Sequence, residues 1–344
     1  MNNKNILFIL ICLFLANAVY AGKDEVVSPE ALISRARLLE DIWAEGTPSM
    51  LMRADVQTLD AKGSLGHAGY TFEWISPSRW REEILFGNYT RVRVRDANGY
   101  WQKSGLSYQP EIIFHLDALI HVKNLLRVGS KQTLGKVKNR RKNGVREQCT
   151  DVKWSSQTER TLCFDEGTGA LLSVEYPAIE YSTVARQNPP EISRIEYGAF
   201  NTVAGKPIPY EIRALRDGKV ILAVKIVEIA KITEENPTRF SVPANAEFWT
   251  QCDDMAPPEL IEPHIQPQYP PSARANLCQG TVVLYAVIEV DGSLSHPAII
   301  HTAAPDLDAA AFEAVGRWRY KPLLCGQALA RLEISIPVVF SIQQ

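Results

Sequence analysis

The sequence predicts an α+β protein of two domains, on three observations. Between residues 50 and 232, about ten short segments alternate apolar and polar side chains and are separated by turn signals. Over roughly the last eighty residues the periodicity instead runs helix, strand, strand, helix, strand. Between the two lies a stretch, residues 249–265, in which Pro257, Pro258 and Pro263 break any period. A chain of 344 residues has room for such a pair. With 46% hydrophobic and 22% charged residues and a formal net charge of −2, it is expected to fold and to have no long-range attraction to nucleic acid.

In the first domain, Ser28 and Pro29 read as cap and first-turn residue of a helix with the stripe Leu32, Ala36, Leu39 and Trp43, and Gly46 stops it. Met50, Met52, Ala54 and Val56 then alternate with Leu51, Arg53, Asp55 and Gln57. Tyr70, Phe72 and Trp74 alternate in the same way with Thr71, Glu73 and Ile75, the pattern of a sheet with one covered face. Further strands are predicted over residues 80–86, 91–95, 145–154, 159–164, 170–176, 192–197, 210–215 and 220–232. Turns such as Asp96-Ala97-Asn98-Gly99 and Arg216-Asp217-Gly218 join them, so a strongly curved antiparallel sheet is expected. Residues 111–126, rich in Ile, Leu and Phe, predict a helix apolar around much of its surface.

Three segments carry a resemblance: Ser76-Pro77-Ser78-Arg79-Trp80-Arg81-Glu82-Glu83, Arg93-Val94-Arg95-Asp96-Ala97-Asn98-Gly99-Tyr100-Trp101 and Phe240-Ser241-Val242-Pro243. They resemble the LolA and LolB family, which implies an open half-barrel over residues 22–248 with the 111–126 helix as its lid. It also implies a cavity for lipid or for the acyl chains of lipoproteins. Tyr70, Phe72, Trp74 and Trp101 are the candidate lining of that cavity, with ordinary core packing as the alternative for each. The basic residues Lys131, Lys136, Lys138, Arg140, Arg141 and Lys142 read either as a site for anionic headgroups or as a solvated turn.

In the second domain, Gln266-Pro267-Gln268-Tyr269-Pro270 leads into a short helix with prolines in its first turn, where a missing amide donor costs nothing. Gly280 ends it. Residues 281–290 are an apolar, β-branched run, Asp291-Gly292 signals a two-residue hairpin, and residues 294–300 resume the strand pattern. Asp306 is placed to cap a helix whose apolar face is Leu307, Ala310, Ala311, Ala314, Val315 and Trp318. In the last strand Leu332, Ile334, Ile336, Val338 and Phe340 point one way and Arg331, Glu333 and Ser335 the other.

This order, with Arg317-Trp318-Arg319-Tyr320-Lys321-Pro322 before the final strand, resembles the TonB C-terminal domain family over residues 268–344. The resemblance implies a last strand at a sheet edge that recruits an extended peptide from an outer-membrane receptor or another envelope protein by strand addition. It places the candidate peptide-binding residues at Gln266, Gln268, Tyr269, Arg331, Glu333 and Ser335. Pro337 departs from the pattern, having no amide to donate; sheets tolerate that at an edge. Simple folding or homodimerisation is the alternative use of this domain.

Lys4, the apolar run 6–15 and the small residues Ala18 and Ala21 read as a secretory signal peptide over residues 1–21, which implies the periplasm. An uncleaved inner-membrane anchor, as in TonB-type energy transducers, is the alternative, although a span needs about 20 apolar residues. Ile11 before Cys12 is too bulky for a lipidation signal. In an oxidising compartment the other five cysteines can pair. Cys149 and Cys163 are equidistant from Ser156, so a hairpin turning there sets them opposite each other. Cys278 and Cys325 precede the first and last strands of the second domain and are expected to staple it, leaving Cys252 over. Metal binding is the other reading, without the CxxC spacing of a zinc site. Without GxSxG, P-loop or dinucleotide fingerprint, the sequence supports a binding protein without cofactor rather than an enzyme. A linker is expected over residues 249–267.

Overall fold

The computed structural model describes residues 27–342 apart from 41–42, 60–64, 121, 123–124, 127, 130–131, 155–156, 177–191, 234–235, 251 and 253–257. The leader assigned to 1–21 and the basic residue Lys131 fall outside these. Helix α1 (Pro29–Glu40) begins as expected, with the Ser28 hydroxyl accepting the Ala31 amide at 3.1 Å, and it buries Leu32, Ile33 and Ala36. Strands β1 (Met50–Leu59), β2 (Leu65–Ser76), β3 (Arg79–Phe86), β4 (Tyr89–Arg95) and β5 (Tyr100–Ser104) follow as an antiparallel meander. Asp96 accepts the amides of Asn98 and Gly99 at 2.8 and 2.9 Å and so forms the turn into β5.

Helix α2 (Glu111–Ile120) interrupts the strands. It is shorter than predicted, and the guanidinium of Arg37 in α1 takes the Leu126 carbonyl at 2.8 and 3.1 Å. Then come β6 (Gln132–Leu134), β7 (Lys138–Lys142), β8 (Val145–Trp154), β9 (Gln157–Asp165), β10 (Leu171–Glu175), β11 (Arg194–Val203), β12 (Lys206–Arg216), β13 (Lys219–Lys231) and β14 (Glu247–Trp249). All fourteen strands form one sheet in the order β14-β5-β4-β3-β2-β1-β13-β12-β11-β10-β9-β8-β6, with β7 also on β8. Residues from one face of strands as far apart as β3 and β9 belong to a single core with α1 and α2, so the sheet curls around them without closing. This is the expected half-barrel.

The second domain comprises α3 (Pro271–Ala275), β15 (Gly280–Ile288), β16 (Leu294–His301), α4 (Pro305–Val315), β17 (Leu323–Cys325), β18 (Ala328–Ala330) and β19 (Leu332–Phe340). Its antiparallel sheet runs β16-β15-β19, which puts β19 at an edge; no other described strand pairs along its outer side. Three local expectations are corrected. The hairpin after β15 is a three-residue loop, since the Glu289 amide donates to Ser293 and the Gly292 amide to Glu289. Gly292 sits at φ +81°, and a Cβ there would lie 1.9 Å from the Tyr320 carbonyl oxygen, so only glycine fits. Helix α4 has Ala304 at its cap; Asp308 takes the Ala303 amide at 3.0 Å, while Asp306 bonds the Ser272 hydroxyl instead. The hairpin β17-β18 was not foreseen.

Cys149 and Cys163 face each other in the β8-β9 register and are joined by a disulfide. The predicted Cys278–Cys325 staple does not exist. Cys325 in β17 pairs with Cys252 of the linker, and Cys278 is a free thiol whose neighbourhood at the end of α3 lies away from that hairpin. The linker itself is partly structured. It starts as β14 on the half-barrel and ends on the second domain, where Ile261 and Lys321 amides pair with the Arg319 and Glu259 carbonyls.

Candidate functional site

The concave face of the half-barrel encloses a cavity of about 600 Å³. The alternation of β1, β2 and β3 aims Met52, Ala54, Phe72, Trp74 and Trp80 into it, while Ile212, Val224 and Ile226 do so from β12 and β13. Trp43, just beyond α1, meets Phe72 and Trp74 with ring centres 4.6 and 5.7 Å apart. Trp80 continues the aromatic wall to Phe72 at 5.7 Å and to Tyr100 at 5.6 Å.

Beside these rings the wall is charged, Glu82 lying across from Phe72 in the β2-β3 register. Arg91, fully buried, donates to Glu82 at 2.8 Å, to both oxygens of Asp117 at 2.5 and 2.7 Å, and to Gln109 at 2.7 Å. Arg93 reaches Gln102 at 2.8 Å, Asp117 at 3.1 Å and Glu82 at 3.5 Å. Burial alone would raise the pKa of Asp117, but the two guanidiniums overcome it and hold the carboxyl below its ordinary range. Burial pushes the Tyr70 phenol well up, and the Glu82 carboxylate beside it adds to the rise.

The second domain closes the cavity. Arg331, Leu332 and Glu333, at the start of β19, line it together with Trp249, Thr250 and Cys252. Glu333 accepts from Gln102 at 3.0 Å and Arg93 at 3.5 Å on the half-barrel and from Tyr285 of β15 at 2.9 Å. Arg331 pairs with Glu247 at 2.6 Å and Glu289 at 2.9 Å, and its guanidinium lies 4.6 Å from the Trp249 ring centre. Phe114 of α2 meets Tyr285 at 6.0 Å, and Glu111 takes His115 at 3.8 Å and His301 of β16 at 3.4 Å. Burial would raise the pKa of Glu111; the two imidazoles pull it down to about 2.

The predicted site residues scatter against this geometry. Phe72 and Trp74 line the cavity. Tyr70 lies behind its charged wall, its hydroxyl 3.4 Å from Glu82. Trp101 is on the other face of β5 from Tyr100 and Gln102 and meets Phe248 edge-on at 5.3 Å, so alternation takes it out of the cavity. The six peptide-binding candidates do not form one site. Arg331 and Glu333 are engaged by the half-barrel. Tyr269 meets Phe340 at 5.6 Å, at the far end of β19, roughly 23 Å from Glu333 at ~3.3 Å rise per residue. The Tyr269 hydroxyl bonds the Cys278 carbonyl, Gln266 bonds His264 at 2.7 Å, and Gln268 and Ser335 are exposed.

The basic cluster is largely neutralised. Lys138 pairs with Asp151 at 2.9 Å, Arg140 with Glu147 and Glu175 at 2.6 Å, and Lys142 with Glu196 at 3.8 Å. The residues that sequence reasoning passed over are Glu82, Arg91, Arg93, Gln102 and Asp117. Their signal was present: Trp80, Glu82 and Ile84 share one face of β3, the face that alternation assigns to the interior.

Residues 265–342 match the family model of the Gram-negative bacterial TonB protein C-terminal. TonB of Vibrio cholerae is 26% identical over 87 residues, which are 25% of this chain and 36% of that protein, so the match spans about a third of that relative. Among solved structures, a putative outer membrane lipoprotein-sorting protein domain from Vibrio parahaemolyticus is 11% identical. It covers 60% of this chain and 94% of its own at a TM-score of 0.39. A LolA superfamily protein from Nitrosomonas europaea is 9% identical and covers 62% of this chain and 98% of its own at a TM-score of 0.37. No helix among the described residues is long and apolar enough to cross a membrane.

Proposed function

We propose that this protein acts in the periplasm as a non-enzymatic binding protein. Its half-barrel shelters the apolar chain of a lipid or lipoprotein, and its TonB-like domain caps that cavity while offering a sheet edge to an envelope protein. The single observation behind this is the cavity itself. Its volume of about 600 Å³ falls within the ~300–1,000 Å³ of ordinary ligand sites, and one wall is a run of aromatic rings. Filled with water it would hold roughly twenty molecules at ~30 Å³ each, most of them against apolar surface. An apolar ligand removes that contact at about 25 cal/mol per Å² buried.

Strand addition is left to the stretch of β19 beyond Glu333, where Ser335, Pro337 and Val339 are exposed. The engagement of Arg331 and Glu333 by the half-barrel favours a second reading, in which the TonB-like domain only caps the carrier. Native mass spectrometry of the full chain purified from a Gram-negative periplasm, followed by solvent extraction, tests the first part. Co-purified lipid is expected, and it should be lost in Ile120→Trp, which fills the cavity from α2. A wild-type chain that comes out empty and takes up no lipid from vesicles would rule the carrier out. Binding of receptor-derived peptides that is abolished by a second proline at Val339 would favour strand addition over capping.

A further inference from the structure

We infer that the cavity selects against anions: its ligand is an apolar chain whose polar end is an uncharged hydrogen-bonding group, and Glu333 of the TonB-like domain is one of the residues that enforces this. The inference rests on the reading of the cavity as a lipid site and adds the chemistry of the ligand's head. In the polar wall two guanidiniums, Arg91 and Arg93, face three carboxylates, Glu82, Asp117 and Glu333. At the rim the same imbalance repeats, with Arg331 between Glu247 and Glu289. Both groups therefore carry an excess of negative charge.

The donors of Arg93, the one of the two that lines the cavity, are engaged: Nε reaches Gln102, Nη1 Asp117 and Glu82, and Nη2 Glu333. Arg91 is buried behind it against Glu82, Asp117 and Gln109, with its Nε unpaired and away from the cavity lining. A carboxylate or phosphate entering this end would have to break such pairs and would sit beside the surplus carboxylates. Beside a protein wall such like-charge repulsion is screened less than in bulk water. An uncharged hydroxyl or amide meets no such opposition. It can donate to the carboxylates of Asp117 and Glu333, which each have more lone-pair sites than their three hydrogen-bond donors use.

Glu333 gives the inference its sharpest consequence, because it reaches the site from the other domain. Removing its charge while keeping its shape leaves two guanidiniums facing two carboxylates, and the opposition to an anion should fall.

The test uses the full chain with both disulfides formed and the uncharged fluorophore N-phenyl-naphthylamine as reporter. Glycerol monolaurate and laurate, which share one acyl chain, compete for it at pH 7.5. The ester should displace the fluorophore at a concentration at least ~10-fold lower than laurate, equivalent to about 1.4 kcal/mol. Glu333→Gln should narrow that ratio several-fold, while Glu333→Asp, which keeps the charge, should preserve it; thermal unfolding of each variant shows that it is folded. Laurate binding as well as the ester, or better, overturns the inference, as does a ratio that Glu333→Gln leaves unmoved. If neither the fluorophore nor either competitor binds the wild-type chain, the carrier reading itself falls, and this inference with it.

Discussion

The half-barrel and the TonB-like domain are built by the same rules, yet one has a hollow centre and the other a filled one. In the half-barrel, fourteen strands curl into an open trough, and the cavity lies among side chains of strands as far apart in the sheet as β3 and β12. In the small domain three strands carry α4, whose Ala311 and Ala314 let the helix lie close to the sheet, and Val282, Leu284, Ala286, Ile336 and Val338 fill what remains. The small domain nevertheless is not complete by itself. Every residue of β15 is buried, one face beneath α4 and the other, through Tyr285 and Val287, against Trp249 and Phe114 of the first domain. Each domain thus supplies the surface the other lacks: the sheet closes the cavity, and the cavity's rim covers the sheet.

The largest expected effect separates the half-barrel's polar wall from its apolar one. Arg91→Ala should destabilise the protein by about 3–5 kcal/mol in urea unfolding, because Glu82 and Asp117 are left buried without their main partner. Arg91→Met with Glu82→Gln and Asp117→Asn should recover most of that loss. The two disulfides come next. Removing Cys252–Cys325, whose ends are 73 positions apart in sequence, should cost about 4 kcal/mol, and removing Cys149–Cys163, 14 positions apart, about 3 kcal/mol, on the loop-entropy argument. Only the former should loosen the cap, seen as faster hydrogen exchange in β17 and β19 with the half-barrel unchanged. Equal exchange in both variants would mean that the cap is not held by its bridge.

Much of this architecture was legible in the chain. The alternation Met50, Met52, Ala54, Val56 located β1 and its buried face, and the spacing of Leu307, Ala311, Ala314 and Val315 located α4. Cys149 and Cys163 stood opposite each other because a hairpin register follows from distance to its turn. The contact between domains was not legible, since no local period reports on what covers a second face. One trace of it existed: the run Val282, Val283, Leu284, Tyr285, Ala286, Val287 has no polar alternation, as expected of a strand covered on both sides. The pairing of Cys252 with Cys325 and the ion network at Arg91 depend on segments far apart in sequence, and spacing carries no information about them.

Acid offers a way to sharpen the comparison at a contact that spans both domains. The folded pKa of Glu111 is depressed to about 2 by His115 and His301, below its ordinary 4.5, so its contribution is fully present above the unfolded value and is lost as pH falls through the folded one. With its side chain 22% exposed, that contribution is on the order of 2 kcal/mol after screening. Stability should therefore decline between about pH 4.5 and pH 2, and Glu111→Gln should flatten that part of the profile. An unchanged acid limb in the variant would place the acid sensitivity elsewhere.

The smallest effect is the most diagnostic of docking. Tyr285 donates its hydroxyl to Glu333 at 2.9 Å from within the TonB-like sheet, while Gln102 and Arg93 reach the same carboxylate from the half-barrel. Tyr285→Phe keeps the ring against Phe114 and removes one hydrogen bond to a charged acceptor, so a loss of about 1.5 kcal/mol is expected by urea unfolding. In a double-mutant cycle with Gln102→Ala the two losses should not add, because both act on one carboxylate across the domain boundary. Strict additivity would mean that Glu333 serves its own sheet alone, and that the two domains meet at the rim without sharing a network.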